Sequence, residues 1–142
     1  FGLANWPLEA TSFNLGEHDI QLLPIPGHSD DDLAYYDPQT EILITGDSLY
    51  PGRLYVRNWP QYSTSIDRLA TWASEISPSL VLGTHIEMSS VPDSDYPVGT
   101  TFQPDEHPLS LQLESILLLR DALQDTTEPE RIPLGSFIIW PI

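Results

Sequence analysis

Short apolar runs separated by turn-forming residues make up the first half of the chain. The run 20–25 is closed by a Pro-Gly pair, which predicts a strand that enters a turn. Two further runs, 33–36 and 41–45, flank an Asp-Pro-Gln-Thr sequence at 37–40. This arrangement predicts a β-hairpin across an Asp-Pro turn. We therefore expect three strands in succession.

The hydrophobic period changes after residue 60. In the segment 61–77, apolar side chains recur on one helical face, at Ile66, Leu69, Ala73 and Ile76. Pro78 ends the predicted helix, because the residue before a proline disfavours the helical conformation. The apolar run 80–82 then predicts a buried strand, so a helix connects the third strand to the fourth.

The last third of the chain begins with a long segment, 89–107, that is rich in Pro, Ser, Asp and Thr. Its length and composition predict an irregular, functional loop. A second helix is expected to start at Pro108 and to close at 125–127, with an apolar stripe at Leu109, Leu113, Ile116, Leu117 and Leu123. A final strand is expected at 137–140. The predicted order is β-β-β-α-β-loop-α-β, an α/β (α+β) fold in one partial domain spanning 1–142.

The composition narrows the classes of partner. The 142 residues carry five arginines, no lysine and 21 acidic residues, for a formal charge of −16. We therefore expect no nucleic-acid partner and no membrane partner, because both phosphate backbones and anionic bilayers bind clustered cations. No apolar run reaches about 18 residues, so no membrane span is expected. The chain has no cysteine, so any metal site must use histidine and carboxylate.

Three motifs place a metal-ligand side chain directly after a predicted strand. His28 lies in Pro-Gly-His-Ser, Asp47 in Thr-Gly-Asp-Ser, and His85 in Gly-Thr-His. Each residue alone is ordinary turn or core chemistry. The ends of strands in one sheet are spatial neighbours, and two histidines with a carboxylate suit a divalent ion such as zinc. Together the motifs predict a metal site.

These motifs, with the hairpin Tyr-Tyr-Asp-Pro and Ile-Leu-Ile-Thr-Gly-Asp-Ser-Leu-Tyr between them, resemble the second half of the metallo-β-lactamase superfamily, with glyoxalase II-like spacing. The resemblance covers at least residues 20–87. It implies that His28 ligates a first metal, that His85 ligates a second, and that Asp47 bridges both and is catalytic. The implied cofactors are two divalent ions, zinc with iron or manganese as alternatives. The implied fold is a four-layer αββα sandwich with the metal site between two similar halves.

The implied activity is hydrolysis of a small-molecule ester, thioester, amide or phosphoester by metal-activated water. The family's His-x-His-x-Asp-His motif is absent, because the four histidines are His18, His28, His85 and His107. We therefore expect the chain to be a C-terminal half, incompletely ligated and inactive alone. We also expect an uncovered apolar sheet face that self-associates or binds a complementary N-terminal half. The alternative is a non-catalytic or metal-free α/β module that acts by binding a partner.

Other residues rank lower as candidates. Asp30, Asp31 and Asp32 are expected in a solvated turn or cap rather than in support of His28. His18 is expected at a turn surface and His107 at a helix mouth. A few residues after Asp47 can shape a substrate pocket, and two after His85 are weaker candidates for a supporting role: Ser48, Tyr50, Arg53, Tyr55, Glu87 and Met88. For Arg53 and Arg57, pairing with local carboxylates explains the charge as well as substrate binding does.

Overall fold

The computed structural model describes residues 3–142, which form two mixed sheets and two helices. The elements follow in the order β1 (Thr11–Asn14), β2 (Asp19–Pro24), β3 (Leu33–Asp37), β4 (Ile42–Gly46), β5 (Arg53–Val56), α1 (Trp59–Ile76), β6 (Leu80–Gly83), β7 (Ser110–Leu111), α2 (Leu113–Asp125), β8 (Ile132–Pro133) and β9 (Ile138–Pro141). The α/β class predicted from the sequence is confirmed.

The larger sheet has the strand order β1-β2-β3-β4-β6-β7. Its neighbours are antiparallel except for β4 and β6, which are parallel and joined by the crossover helix α1. Because β2 and β4 are both antiparallel to β3, the strands β2, β4 and β6 run in one direction. The smaller sheet has the order β5-β9-β8, with β5 parallel to β9. The chain thus passes from the larger sheet to β5 of the smaller sheet, returns to the larger sheet at β6, and ends in the smaller sheet.

The predicted hairpin is confirmed. β3 pairs with β4 in a register that sets Tyr35 opposite Ile44 and Asp37 opposite Ile42. The Asp37 carboxylate accepts hydrogen bonds from the Gln39 backbone N–H and the Thr40 hydroxyl, each at 2.9 Å. An aspartate that binds the backbone two residues on is a turn-forming device. The side chain of Asp37 therefore fixes the turn.

The first helix begins two residues earlier than predicted and ends where expected. Asn58 caps it by accepting a hydrogen bond from the backbone N–H of Gln61 at 3.2 Å, and Pro60 lies in its first turn. Ser77, in the left-handed conformation, follows the last helical residue and precedes Pro78. The caps thus define both ends of α1.

Both helices pack on one face of the larger sheet. The sheet contributes to the shared buried cluster Ala34, Tyr36, Leu43 and Val81, and the helices contribute Ile66, Leu69, Ala73, Ile116 and Leu119. Alternate residues of a strand point to opposite faces, so Tyr35 and Ile44 lie on the other face. They are 38% and 43% exposed and line an apolar hollow of about 450 Å³ with Ile20 and Ile42. The apolar sheet face expected from the sequence is therefore present and uncovered in residues 3–142.

The structure corrects the start of the second helix. Pro108 does not begin it, because the backbone of β7 (Ser110–Leu111) pairs instead with Leu82 and Val81 of β6, and α2 starts at Leu113. The strands β1, β5, β7 and β8 were not predicted. The segment 89–107 contains no named helix or strand, and isolated bridges join Met88 to Asp95 and Ser89 to Glu106. In the described part of the chain, neither helix is long and apolar enough to cross a membrane.

The turn after β2 packs so closely against the side of α1 that only glycine fits at position 27. Gly27 has φ 146°, and a Cβ atom added there would lie 2.5 Å from the Cα of Tyr62. The Gly27 carbonyl accepts hydrogen bonds from the backbone N–H groups of Arg57 and Asn58, both at 3.1 Å. The Ser65 hydroxyl donates to the carbonyl of Pro26 at 2.7 Å. The position of this turn is thus set by α1.

We expect Gly27→Ala to lower the free energy of unfolding by about 2–4 kcal/mol, because the new methyl group strains the backbone and overlaps Tyr62. Gly16→Ala is the control: it has φ 99° but open space around the added Cβ, so it carries only the backbone cost of about 1 kcal/mol. Urea unfolding followed by tryptophan fluorescence measures both. Equal losses for the two variants would show that the contact with Tyr62 is unimportant.

We expect the stabilisation by Asp37 to depend on pH. Its hydrogen bond from the Gln39 backbone, with a further one from Thr40, lowers the pKa of this carboxyl below the usual value. The stabilisation is therefore present above the ordinary pKa of about 3.9 and is lost as pH falls through the lowered folded-state value. The deficit of Asp37→Ala should shrink between about pH 7 and pH 3 in urea unfolding. Asp37→Asn, which keeps an acceptor oxygen, should show a smaller deficit, and a pH-independent deficit would contradict the assignment.

Candidate metal centre

His28, Asp47 and His85 lie at the same edge of the larger sheet. They follow the carboxyl ends of β2, β4 and β6, which run in one direction. In open α/β sheets, this is the edge where ligands bind. The structure therefore brings together the three residues that the sequence singled out. Asp47 faces each of the two histidines separately.

The imidazole of His28 is held by a backbone carbonyl. Its Nδ1 lies 2.8 Å from the carbonyl oxygen of Tyr55 in β5. A carbonyl oxygen only accepts hydrogen bonds, so Nδ1 carries the proton and donates it. In the neutral imidazole, Nε2 then carries the lone pair, and Nε2 lies 3.5 Å from Oδ2 of Asp47. A histidine whose second nitrogen is fixed by a carbonyl is the usual form of a metal-ligating histidine.

Asp47 lies between the two histidines. Its Oδ2 faces His28, and its Oδ1 lies 3.6 Å from Nδ1 of His85. The Thr84 hydroxyl donates a hydrogen bond to Oδ1 and also lies 3.1 Å from the same His85 nitrogen. About a third of the Asp47 side chain is exposed. Both carboxylate oxygens are thus oriented, and the group remains open to a ligand.

His85 packs on Tyr50. The two ring centroids are 4.2 Å apart, with the planes tilted by 56°. This contact depends on Gly83, because a Cβ atom at that position would lie 2.2 Å from the Cβ of Tyr50. The His85 side chain is 48% exposed, against 18% for His28. His85 is therefore the more accessible of the two histidines, and its ring is fixed from one side.

The donor set fits a divalent cation in kind but not in number. Two imidazoles and a carboxylate are ligands that zinc, iron and manganese accept, and the tautomer of His28 is the one a metal needs. However, within residues 3–142 no group of three or more His, Cys, Asp or Glu side chains is arranged so that it could hold a metal ion. His28 and His85 face different oxygens of Asp47. These three residues thus do not form a complete coordination shell on their own.

Asp32 is a residue whose place the sequence did not reveal. Its Oδ2 accepts hydrogen bonds from the backbone N–H of Ser29 at 3.0 Å and from the hydroxyl of Ser48 at 3.3 Å. It therefore links the residue after His28 to the residue after Asp47. Burial raises the pKa of the Asp32 carboxyl, and the bond from Ser29 opposes that rise. The bond from Ser29 agrees with the expected turn or cap, whereas the partial burial of Asp32 and its bond from Ser48 were not expected. The neighbours of Asp32 in the Asp-Asp-Asp sequence gave no signal to separate it.

The remaining candidates lie in other settings. His18 faces Asp37 at the hairpin turn, 3.7 Å away. Nδ1 of His107 lies 2.7 Å from the carbonyl of Pro108, and its Nε2 lies 3.1 Å from the hydroxyl of Ser136. Arg57 and His28 line a polar cavity of about 460 Å³. Arg53 is buried among carboxylates, so pairing explains its charge.

Comparison with known proteins points to one superfamily. The chain is 31% identical over 112 residues to hydroxyacylglutathione hydrolase of Bartonella henselae, an alignment that covers 77% of this chain and 42% of that protein. It is 34% identical over 58 residues to human acyl-coenzyme A thioesterase MBLAC2, over 41% of this chain and 20% of that protein. The chain thus spans less than half the length of these relatives.

Solved structures show the same fold. The chain is similar to a metallo-beta-lactamase from Pontibacter korlensis, with a TM-score of 0.53 and 17% sequence identity. The match covers 84% of this chain and 47% of the Pontibacter chain. A family model described as the metallo-beta-lactamase superfamily matches residues 1–126. Since that match covers most of the sequence, the chain belongs to the metallo-β-lactamase superfamily.

Proposed function

We propose that the protein containing this chain is a metal-dependent hydrolase whose cation site includes His28, Asp47 and His85. One observation carries the proposal: the two histidines face opposite oxygens of Asp47, at 3.5 and 3.6 Å. The Nδ1 proton of His28 is already engaged by the carbonyl of Tyr55. This arrangement suits a carboxylate that bridges two ions with one histidine on each.

The residues of the chain have distinct tasks in this proposal. His28 would bind through Nε2, because its Nδ1 donates to Tyr55. Asp47 would hold divalent ions through its carboxylate oxygens, and in that role it would be the central residue of catalysis. Thr84 holds Oδ1 of Asp47 in place. A pair of divalent ions would supply water that is ionised near neutral pH.

The names of the relatives support a substrate class. One acts on an acyl conjugate of glutathione, and another is a thioesterase for acyl-coenzyme A. Both carriers join the acyl group through sulfur. We therefore propose a small-molecule acyl thioester as the substrate, among the esters, amides and phosphoesters that the same chemistry can cleave.

We also propose that the chain corresponds to the C-terminal half of a four-layer αββα sandwich. The support is the absent His-x-His-x-Asp-His motif, the partial ligand set and the 42% and 47% shares of the related chains that it covers. The apolar face with Tyr35 and Ile44 would then be covered by a complementary N-terminal half. That half would bring the missing histidines to the cleft. A non-catalytic module that binds a partner is the second candidate, and the incomplete ligand set favours it.

Asp47→Ala and Asp47→Asn test the metal site in the full-length protein. We expect roughly two divalent ions per chain in the parent by plasma emission analysis, and hydrolysis of acyl thioesters. Both variants should lose metal and should lower turnover at least about 100-fold, because the central ligand is gone. Asp125→Ala removes the same charge from the end of α2 and should change neither quantity.

Two outcomes would contradict this proposal. Full metal content and turnover in Asp47→Ala would exclude Asp47 from the site. A parent protein that binds no divalent ion would favour the non-catalytic module.

Ile44→Glu tests the uncovered face. We expect a protein of residues 1–142 to self-associate, or to bind a separately made N-terminal half, in sedimentation experiments. A buried carboxylate on the apolar face should raise the dissociation constant at least about 10-fold. Leu118→Glu, on an exposed position of α2 at 45% exposure, is the matched control and should leave association unchanged. Monomeric behaviour of the parent at high concentration, with no binding to an N-terminal half, would contradict the proposal.

A further inference from the structure

Arg53 places a positive charge in the interior of the protein. Its side chain is only 5% exposed, although the chain has just five cations. Nη2 donates to Oε1 of Glu87 at 2.9 Å, and Nη1 donates to Oδ2 of Asp95 at 2.6 Å and to the carbonyl of Tyr96 at 2.8 Å. Nε donates to the hydroxyl of Tyr55 at 3.0 Å. The guanidinium is thus satisfied by Tyr55, two residues on in the same strand, and by three residues that are 34 to 43 positions away in the sequence.

The positive charge of Arg53 is compensated by direct contact with Glu87 and Asp95. Burial by itself lowers the pKa of Arg53, but the hydrogen bonds to Glu87 and Asp95 outweigh burial and raise the pKa above its ordinary value. A paired, hydrogen-bonded buried charge keeps its geometry, whereas removal of one partner leaves the others without compensation. The planar guanidinium also fixes direction, which a lysine ammonium does not.

One branch of the cluster leads to His85. Glu87 lies two residues after it, and its backbone N–H donates to the carbonyl of Pro51 at 2.7 Å. Oε2 of Glu87 accepts a hydrogen bond from the backbone N–H of Arg53 at 2.8 Å and lies 3.2 Å from the hydroxyl of Tyr50. The ring of Tyr50 is the one that packs on His85. Arg53 thereby holds both the chain after His85 and the ring beside it.

The other branch leads to His28. Arg53 and Tyr55 belong to β5, and the Arg53 guanidinium binds the Tyr55 hydroxyl. The carbonyl of Tyr55 accepts the Nδ1 proton of His28. β5 is also held by pairing with β9, in which Tyr55 lies opposite Trp140. A shift of β5 would therefore move the acceptor that orients His28.

We propose that Arg53 is a positioning residue that sets the orientation of His28 and His85 together, by joining β5 to the chain segment after His85. This inference rests on the proposed metal site for its functional meaning. Arg53 contacts neither histidine. It acts through Tyr55 on one side and through Glu87 and Tyr50 on the other.

The test uses Arg53→Lys and Arg53→Met in the full-length protein. The first readout is the Nδ1–H signal of His28 in ¹H–¹⁵N spectra without metal, which reports the bond to Tyr55. We expect the signal to weaken or to exchange faster in both variants. The second readout is Co²⁺ binding by visible spectroscopy, where we expect affinity to fall about 10- to 100-fold, less for Lys than for Met. If Arg53→Met does not fold, Arg53→Lys and Glu87→Gln carry the test.

Two controls separate positioning from stability and charge. Leu119→Ala destabilises α2 in the core but should leave Co²⁺ affinity and the His28 signal unchanged. Arg120→Met removes a partly exposed arginine that pairs with Asp121 and should also change neither. Parent-like Co²⁺ affinity and a parent-like His28 signal in Arg53→Met would overturn the inference. A parent that binds no Co²⁺ would refute the proposed function, and the His28 signal would still decide the role of Arg53.

Discussion

The parallel pairing of β4 with β6 is the contact on which the candidate site depends. The register sets Ile42 opposite Leu80 and Leu43 opposite Val81, with an irregularity before Gly46. Because the strands are parallel and α1 returns the chain across the sheet, both end at the same edge. Asp47 and the Thr84-His85 pair leave the sheet side by side, close enough for the Thr84 hydroxyl to bind Asp47. An antiparallel pairing would place them at opposite edges.

His28 reaches this edge by a different route. β2 is two strands away from β4, with β3 between them. The chain reverses direction once between β2 and β3 and again between β3 and β4. The turn after β2 then rests on α1, the same helix that makes the β4–β6 crossover. One helix therefore determines the positions of two of the three candidate residues: it sets the direction of β6, and it supports the turn that carries His28.

The sequence predicted those parts of the fold that local pattern determines. The runs that became β2, β3, β4 and β6 contain buried apolar residues, such as Leu43 and Val81, and the Asp-Pro turn gave the hairpin. β5 was missed because it contains the buried Arg53. The carboxylates that compensate this buried charge, Glu87 and Asp95, are 34 and 42 residues away in the sequence. The start of α2 was wrong because pairing with β6 is a tertiary contact. Likewise, the proximity of His28, Asp47 and His85 could be predicted from strand ends, but not the hydrogen bonds of Asp32 and Thr84.

Each of the three candidate residues is held by another part of the chain. The carbonyl of Tyr55 already selects the tautomer of His28, Thr84 already holds Asp47, and Tyr50 already packs on His85. A ligand whose orientation is fixed in advance loses little conformational freedom on binding, so more of the coordination energy remains as affinity. In the proposed metal site, ligands from outside residues 3–142 would add to side chains whose orientation is already fixed, and they would not have to order them.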